Sequence, residues 1–174
     1  MTSHFAELQP DIEPLGRVSD FVDEFIYVVE PHHLFDEFSR QETVLLGEYL
    51  ECFGVPRDCA VLREGDEGDF LAILVTGQAI IVKSHEGQDV LVHQLNLGEM
   101  IGEMSLIDGQ RRFATCLTTE PSDFAVLTRA SFHVMLADHP RLANKFLMML
   151  LRLNVSRLRD ATTLNLPGLM PSAL

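Results

Sequence analysis

The sequence predicts a mainly β domain, an antiparallel β-roll or jelly-roll barrel, with helices before it and a long helix after it. Three observations lead there. Short apolar runs crowd residues 60–128, each only three to six residues long. Gly77, Gly87, Gly98 and Gly109 punctuate them every ten or eleven residues, the spacing of antiparallel strands joined by tight turns. Outside that region the apolar residues follow a helical period instead.

The elements follow in order. Residues 1–18, with Pro10, Pro14 and Gly16 and no periodicity, read as an extended or poorly ordered acidic arm. Residues 19–50 read as helical. Ser19 caps a short helix through Glu30, with Phe21, Val22, Phe25, Ile26 and Val29 on one face, and Pro31 stops it. Phe35, Phe38, Val44, Leu45 and Tyr49 extend the expectation to a second helix over His33–Tyr49.

Residues 51–128 form the expected roll. Its strands are read from "AVL" at 60–62, "FLAILV" at 70–75, "AIIV" at 79–82, "VLVHQL" at 90–95, "ATCL" at 114–117 and "FAVLT" at 124–128. Residues 129–162 return to helix. A short one spans Ser131–Ala137, "DHP" breaks it, and Pro140 suits the first turn of a long helix to about Thr162. Leu142, Phe146, Met149 and Leu153 make its stripe, which widens until Phe146–Leu151 is apolar all round. One layer of roll does not need that, so the second face is expected to meet a second copy, giving a homodimer through residues 140–160. Residues 163–174 are a tail.

Composition narrows the function. The 174 residues carry 13 Lys and Arg against 26 Asp and Glu, a net charge of −13 that opposes a phosphate backbone and an anionic lipid surface. Neither nucleic acid nor membrane is an expected partner. The acidic N-terminus lacks the basic and apolar regions of a signal peptide, and the longest apolar run is far too short to span a bilayer. Three cysteines with no C-x-x-C pair imply neither a disulfide framework nor a zinc site, and a reducing cytoplasm is the simplest compartment. Seven histidines are spread along the chain without metal-ligand spacing, so no metal and no enzyme are expected.

One segment, "IGEMSLIDGQRRF" at 101–113, stands apart from the strand pattern. Gly102 lets the backbone approach a neighbour closely, and Glu103 opens a helix of one or two turns ending near Asp108-Gly109. The amides at such a start suit an anion. Arg112 heads the next strand, where a planar guanidinium would meet the same anion. Glu103 accepts only, so it suits a neutral donor such as a sugar hydroxyl. Taken alone, the two charges could equally be a structural ion pair on a loop.

The wider segment "LGEMIGEMSLIDGQRRFAT", 97–115, resembles the phosphate-binding cassette of the cyclic nucleotide-binding domain family, which reads roughly Phe-Gly-Glu-Leu-Ala-Leu, a loop, then Pro-Arg-Ala-Ala-Thr. The resemblance runs from about Phe38 to Asp160 and includes the Gly-rich turn in "VLREGDEGDF". It implies that Glu103 takes the ribose 2′-hydroxyl and Arg112 the cyclic phosphate, with Gly102, Met104, Ser105, Phe113 and Ala114 lining the site. It also places Asn154, Ser156 or Arg157 of the long helix near the base. Three positions depart from the pattern: Ile101 for an aromatic, Arg111 for Pro, and Phe113 for a small residue. In this family Thr or Ser after the arginine favours cGMP, so Phe113 points to cAMP, with cGMP second.

After Asp160 only "ATTLNLPGLMPSAL" follows, with no basic residue and too short for a DNA-binding module. The expectation is therefore a stand-alone sensor without catalytic activity, acting through an unknown effector protein or its own dimer interface. The alternative is a ligand-free interaction or scaffold domain of the same fold.

Overall fold

A computed structural model describes residues 12–164. Nine strands form two antiparallel sheets. The first holds β1 (Glu13–Arg17), β2 (Glu51–Val55), β9 (Ser122–Thr128), β4 (Phe70–Thr76) and β7 (Met100–Ile101), in that order. The second holds β3 (Ala60–Leu62), β8 (Thr115–Thr118), β5 (Ala79–His85) and β6 (Gln88–Leu95). Five α-helices complete the described residues: α1 (Val22–Val29), α2 (Arg40–Gly47), α3 (Glu103–Asp108), α4 (Arg129–Asp138) and α5 (Pro140–Leu164).

The layers explain the apolar runs. In β4, Phe70, Ala72 and Leu74 belong to the core between the two sheets. The alternating Leu71, Ile73 and Val75 belong to a second core under the helices. β9 divides in the same way, with Phe124 and Val126 on one side and Ala125 and Leu127 on the other. A strand covered on both faces has no reason to alternate apolar with polar. The fold is thus a three-layer β-roll of the expected class. The two sheets face each other, and the strand pairings of the described residues do not close into a barrel.

Several boundaries differ from the sequence reading. Residues 13–17, expected in the arm, form β1 and pair with β2. Glu51–Val55 is a strand that the sequence reading passed over; its Gly54 and its neighbour Pro56 mask the pattern. Ser19 caps no helix. It lies in a 3₁₀ turn, Val18–Phe21, ahead of α1. The expected helix over His33–Tyr49 is confined to Arg40–Gly47. His33 takes a left-handed conformation (φ 54°), and Phe35 and Phe38 pack as loop residues, their rings 5.4 Å apart. Ser39 decides where α2 begins. Its Oγ accepts from the Glu42 amide (3.3 Å), and the Glu42 carboxylate accepts from the Ser39 amide (2.8 Å), a reciprocal cap. Residues 1–11 and 165–174, most of the arm and tail, lie outside the described residues.

α5 is anchored in its first half. Leu142, Ala143, Phe146, Met149 and Leu150 are buried in the helix-side core. Lys145 Nζ donates to both carboxylate oxygens of Glu42 at 2.8 Å and to the Glu37 carbonyl at 2.7 Å. From Leu151 to Thr162 no residue is buried. No helix among the described residues is long and apolar enough to cross a membrane.

Glu42 therefore joins two helices. Its bond from Lys145, with those from Ser39, holds its carboxyl down at about 2. A depressed native value contributes stability that is complete above the ordinary 4.5 and is lost as pH falls through about 2. Glu42→Gln should lower stability at neutral pH and flatten the acid limb, its difference from the wild type shrinking as pH falls below 4.5 and vanishing near 2. Urea unfolding from pH 7 down to pH 2 measures it. An acid limb identical to the wild type would mean that the pair contributes nothing.

Candidate functional site

The segment 97–115 crosses from one sheet to the other. It leaves through β7, which pairs with the far edge of β4, turns through α3, and returns in β8 beside β5. Gly102 precedes α3 in the left-handed conformation (φ 77°) and Gly109 ends it in the same one (φ 71°). Only glycine adopts these readily. The Gly102 carbonyl accepts from the Leu106 amide at 3.2 Å and from Arg112 Nη1 at 3.0 Å, so one atom starts the helix and holds the arginine.

Arg112 is only 4% exposed. Its amide donates to the Asp66 carbonyl (2.8 Å) and its carbonyl accepts from Gly65 (2.9 Å), so the β3–β4 turn fixes its backbone. The guanidinium carbon lies 4.4 Å from the centre of the Phe70 ring. Burial pushes its pKa down to about 10, opposed by Asp69, and it remains a cation at neutral pH. Two glycines make room for it. A Cβ on Gly68 would stand 2.7 Å from Arg112 Cζ, and one on Gly102 would stand 2.6 Å from Nη1. In that cradle Nη2 is buried without a hydrogen-bond partner.

Glu103 is also buried, its side chain 2% exposed. It forms an ion pair, but not with Arg112: Arg157 Nη1 on α5 donates to Glu103 Oε1. Arg157 Nη2 donates to the Met100 carbonyl at 2.6 Å.

Gly102, Glu103, Arg112 and Arg157 line one cleft. It brings together all seven of the residues expected from the cassette: Gly102, Glu103, Met104, Ser105, Arg112, Phe113 and Ala114. Of the three long-helix candidates the structure brings one to the cleft. Arg157 reaches the cleft, whereas Asn154 spends its Nδ2 on the Leu150 carbonyl of its own helix (2.9 Å) and Ser156 is exposed away from it. Ser156 lies about 100° around the helix from Arg157, whereas Asn154, three residues earlier on the same face, has a short side chain that turns back onto its own helix.

The sequence reading missed the apolar wall of Leu62, Ile81 and Cys116, whose inward direction alternation along β3, β5 and β8 could have supplied. It also missed Arg129. From the start of α4, Arg129 Nη2 donates to the carbonyls of Ser105 (2.6 Å) and Gly68 (2.9 Å), tying α3 to the β3–β4 turn. No local signal marks it. Burial pushes the Cys116 thiol up to about 12, so at neutral pH it acts as an apolar wall. Phe113 is exposed at the rim, with Lys83 Nζ 4.1 Å from its ring centre. No group of three or more His, Cys, Asp or Glu able to hold a metal occurs among the described residues.

A family model described as the cyclic nucleotide-binding domain matches residues 54–139. The crystal structure of a cyclic nucleotide-binding domain from Methylobacillus flagellatus KT is similar with a TM-score of 0.85 and 35% identity, covering 100% of both chains. The chain belongs to the cyclic nucleotide-binding domain family. That family, in its catabolite-activator and kinase regulatory forms, is regulatory and not catalytic. The cyclic AMP receptor protein of Thermus thermophilus is 28% identical over 129 residues, 74% of this chain and 58% of its own length. The cAMP-dependent protein kinase regulatory subunit of Mycosarcoma maydis is 31% identical over 94 residues, 54% of this chain and 18% of its own length. The domain thus spans little more than half of one curated relative and a small part of the other.

The Gly68 position tests the cradle. Gly68 does not need a left-handed backbone, so only space forbids a side chain there. Gly68→Ala would press on Ser105 Cβ at 2.5 Å as well as on Arg112, and overpacking of this kind costs about 1–3 kcal/mol. Urea unfolding should show that loss. Wild-type stability in the variant would mean that the turn and α3 part freely.

Proposed function

We propose that this domain senses a cyclic nucleotide, with cAMP as its ligand. The observation that carries the reading is the buried Arg112 guanidinium, cradled by two glycines with Nη2 unpartnered beside the cleft. A buried donor left unmade is costly, and an anionic phosphate oxygen is the acceptor that repays it most. Glu103 supplies the acceptor for a ribose 2′-hydroxyl, which a 3′,5′-cyclic phosphate leaves free. The apolar wall of Leu62, Ile81 and Cys116 suits the remaining faces of the nucleoside. Preference for cAMP over cGMP rests on Phe113 standing where Thr or Ser favours cGMP. The relatives named for cyclic AMP support the same choice.

The signal leaves through α5, toward an effector protein or a second copy. Met148, Leu151, Val155 and Leu158 are all exposed. Their spacing of three, four and three residues puts them on one stripe, as in the seam of a two-stranded coiled coil. A second copy of α5 covers that stripe and makes the homodimer.

Two measurements test this reading. Charge-assisted hydrogen bonds contribute about 1.5–3 kcal/mol each. At about 1.4 kcal/mol per tenfold, Arg112→Ala should weaken calorimetrically measured cAMP binding by at least about tenfold. Affinity equal to the wild type would sink the assignment of Arg112 to the phosphate. For the dimer, Leu151→Glu combined with Leu158→Glu should convert a sedimenting dimer to a monomer, and a wild type that sediments as a monomer refutes the seam.

A further inference from the structure

Glu103 is the carboxylate that the proposed function gives to a ribose hydroxyl, yet it is covered by the chain itself. The cover is Arg157. Its fork bonds at once to Glu103 Oε1 and to the carbonyl of Met100, the residue that opens β7. The Arg157 side chain is 43% exposed while Glu103 is 2% exposed, so the arginine reaches in from the mouth of the cleft and seals what lies behind it. It does so from the half of α5 that has no buried residue. The first half is held by core and by Lys145, whereas the second meets the cassette through a polar contact at the cleft. A lock of that kind can open without unfolding anything.

We propose that Arg157 is a built-in competitor of the ligand: its guanidinium and the nucleotide's ribose contend for the same buried carboxylate, so that α5 and nucleotide regulate each other through Glu103. This rests on the reading of Glu103 as the ribose acceptor. A carboxylate only accepts, and a guanidinium bond to it is stronger than a neutral hydroxyl bond. Because the arginine also covers the carboxylate, whose side chain is 2% exposed, a hydroxyl reaches Glu103 only as Arg157 yields. Since coupling between two binding events is reciprocal, whatever the nucleotide does to the latch the latch does to the nucleotide. Ligand entry releases the second half of α5, and loss of the latch tightens ligand binding.

The experiment has two arms on the full chain. In the first, cAMP binding is measured by calorimetry. Arg157→Ala should bind at least about fivefold more tightly than the wild type, the lower end of ordinary coupling. Equal or weaker binding in the variant overturns the proposal, weaker binding meaning that Arg157 holds the nucleotide itself. The second arm uses no nucleotide. Hydrogen exchange of residues 151–162 should quicken in Arg157→Ala and, to a smaller extent because the Met100 bond remains, in Glu103→Gln, with the double variant no faster than Arg157→Ala. Unchanged exchange in the single variants overturns the latch. A wild type that binds neither cAMP nor cGMP overturns the sensor reading instead, and the exchange arm still decides whether the latch exists.

Discussion

Burying the Arg112 guanidinium is the constraint on which the cleft depends. A cation taken out of water needs its partners arranged beforehand. Here they are the Gly102 carbonyl, the face of Phe70 and the charge of Asp69. They come from two pieces of chain, since Asp69 and Phe70 are consecutive residues. Gly102 belongs to the cassette, Phe70 opens β4, and the β3–β4 turn clamps the Arg112 backbone through Gly65 and Asp66. The arginine cannot sit there unless the two sheets have closed and two glycines have let the chain approach it. The fold has done that work, and one guanidinium nitrogen is still left to be satisfied by something else.

The layers divide the mechanical duties. β4 runs through the middle, paired to β9 and β7 and covered on both faces, so it can hardly shift. The cassette hangs from its edge and is braced from below by Arg129. α5 is fixed over its first half by close packing and the Glu42–Lys145 pair, with its second half lying across the cleft. Close-packed contacts resist small displacement, while a partly exposed ion pair exchanges readily with water or with another donor. The half of the helix that can move is thus the half that touches the acceptor.

Much of the fold was legible because its determinants are local. The run "FLAILV" reads as a strand because β-branched and apolar residues without a break suit a sheet covered on both sides. Pro140 after Asp138 marks the start of α5 within a residue, since Pro is tolerated only in a first turn. β1 escaped notice because Pro14 and Gly16 are turn residues in isolation and become a strand only by pairing with β2 across a bulge. The helix expected over His33–Tyr49 failed in its first part because aromatic periodicity at Phe35 and Phe38 was satisfied by ring packing onto Phe25 and onto each other.

By itself, the sequence determined the order of elements, the acidic surface, and the presence of a glycine, a carboxylate and an arginine in the pattern of the cassette. Those depend on residue type, spacing and backbone preference along a short stretch. The tertiary structure alone decided which partner each charge has. Glu103 could have faced Arg112, its neighbour in the motif, and instead faces Arg157 from a helix that begins far downstream. Arg112 is housed by Gly68, from a turn that carries no mark of that duty. Pairings of this kind are set by how β4 aligns with β7 and β9 and by where α5 crosses the roll. Those alignments follow from burying two whole cores at once, and local periodicity does not carry that information.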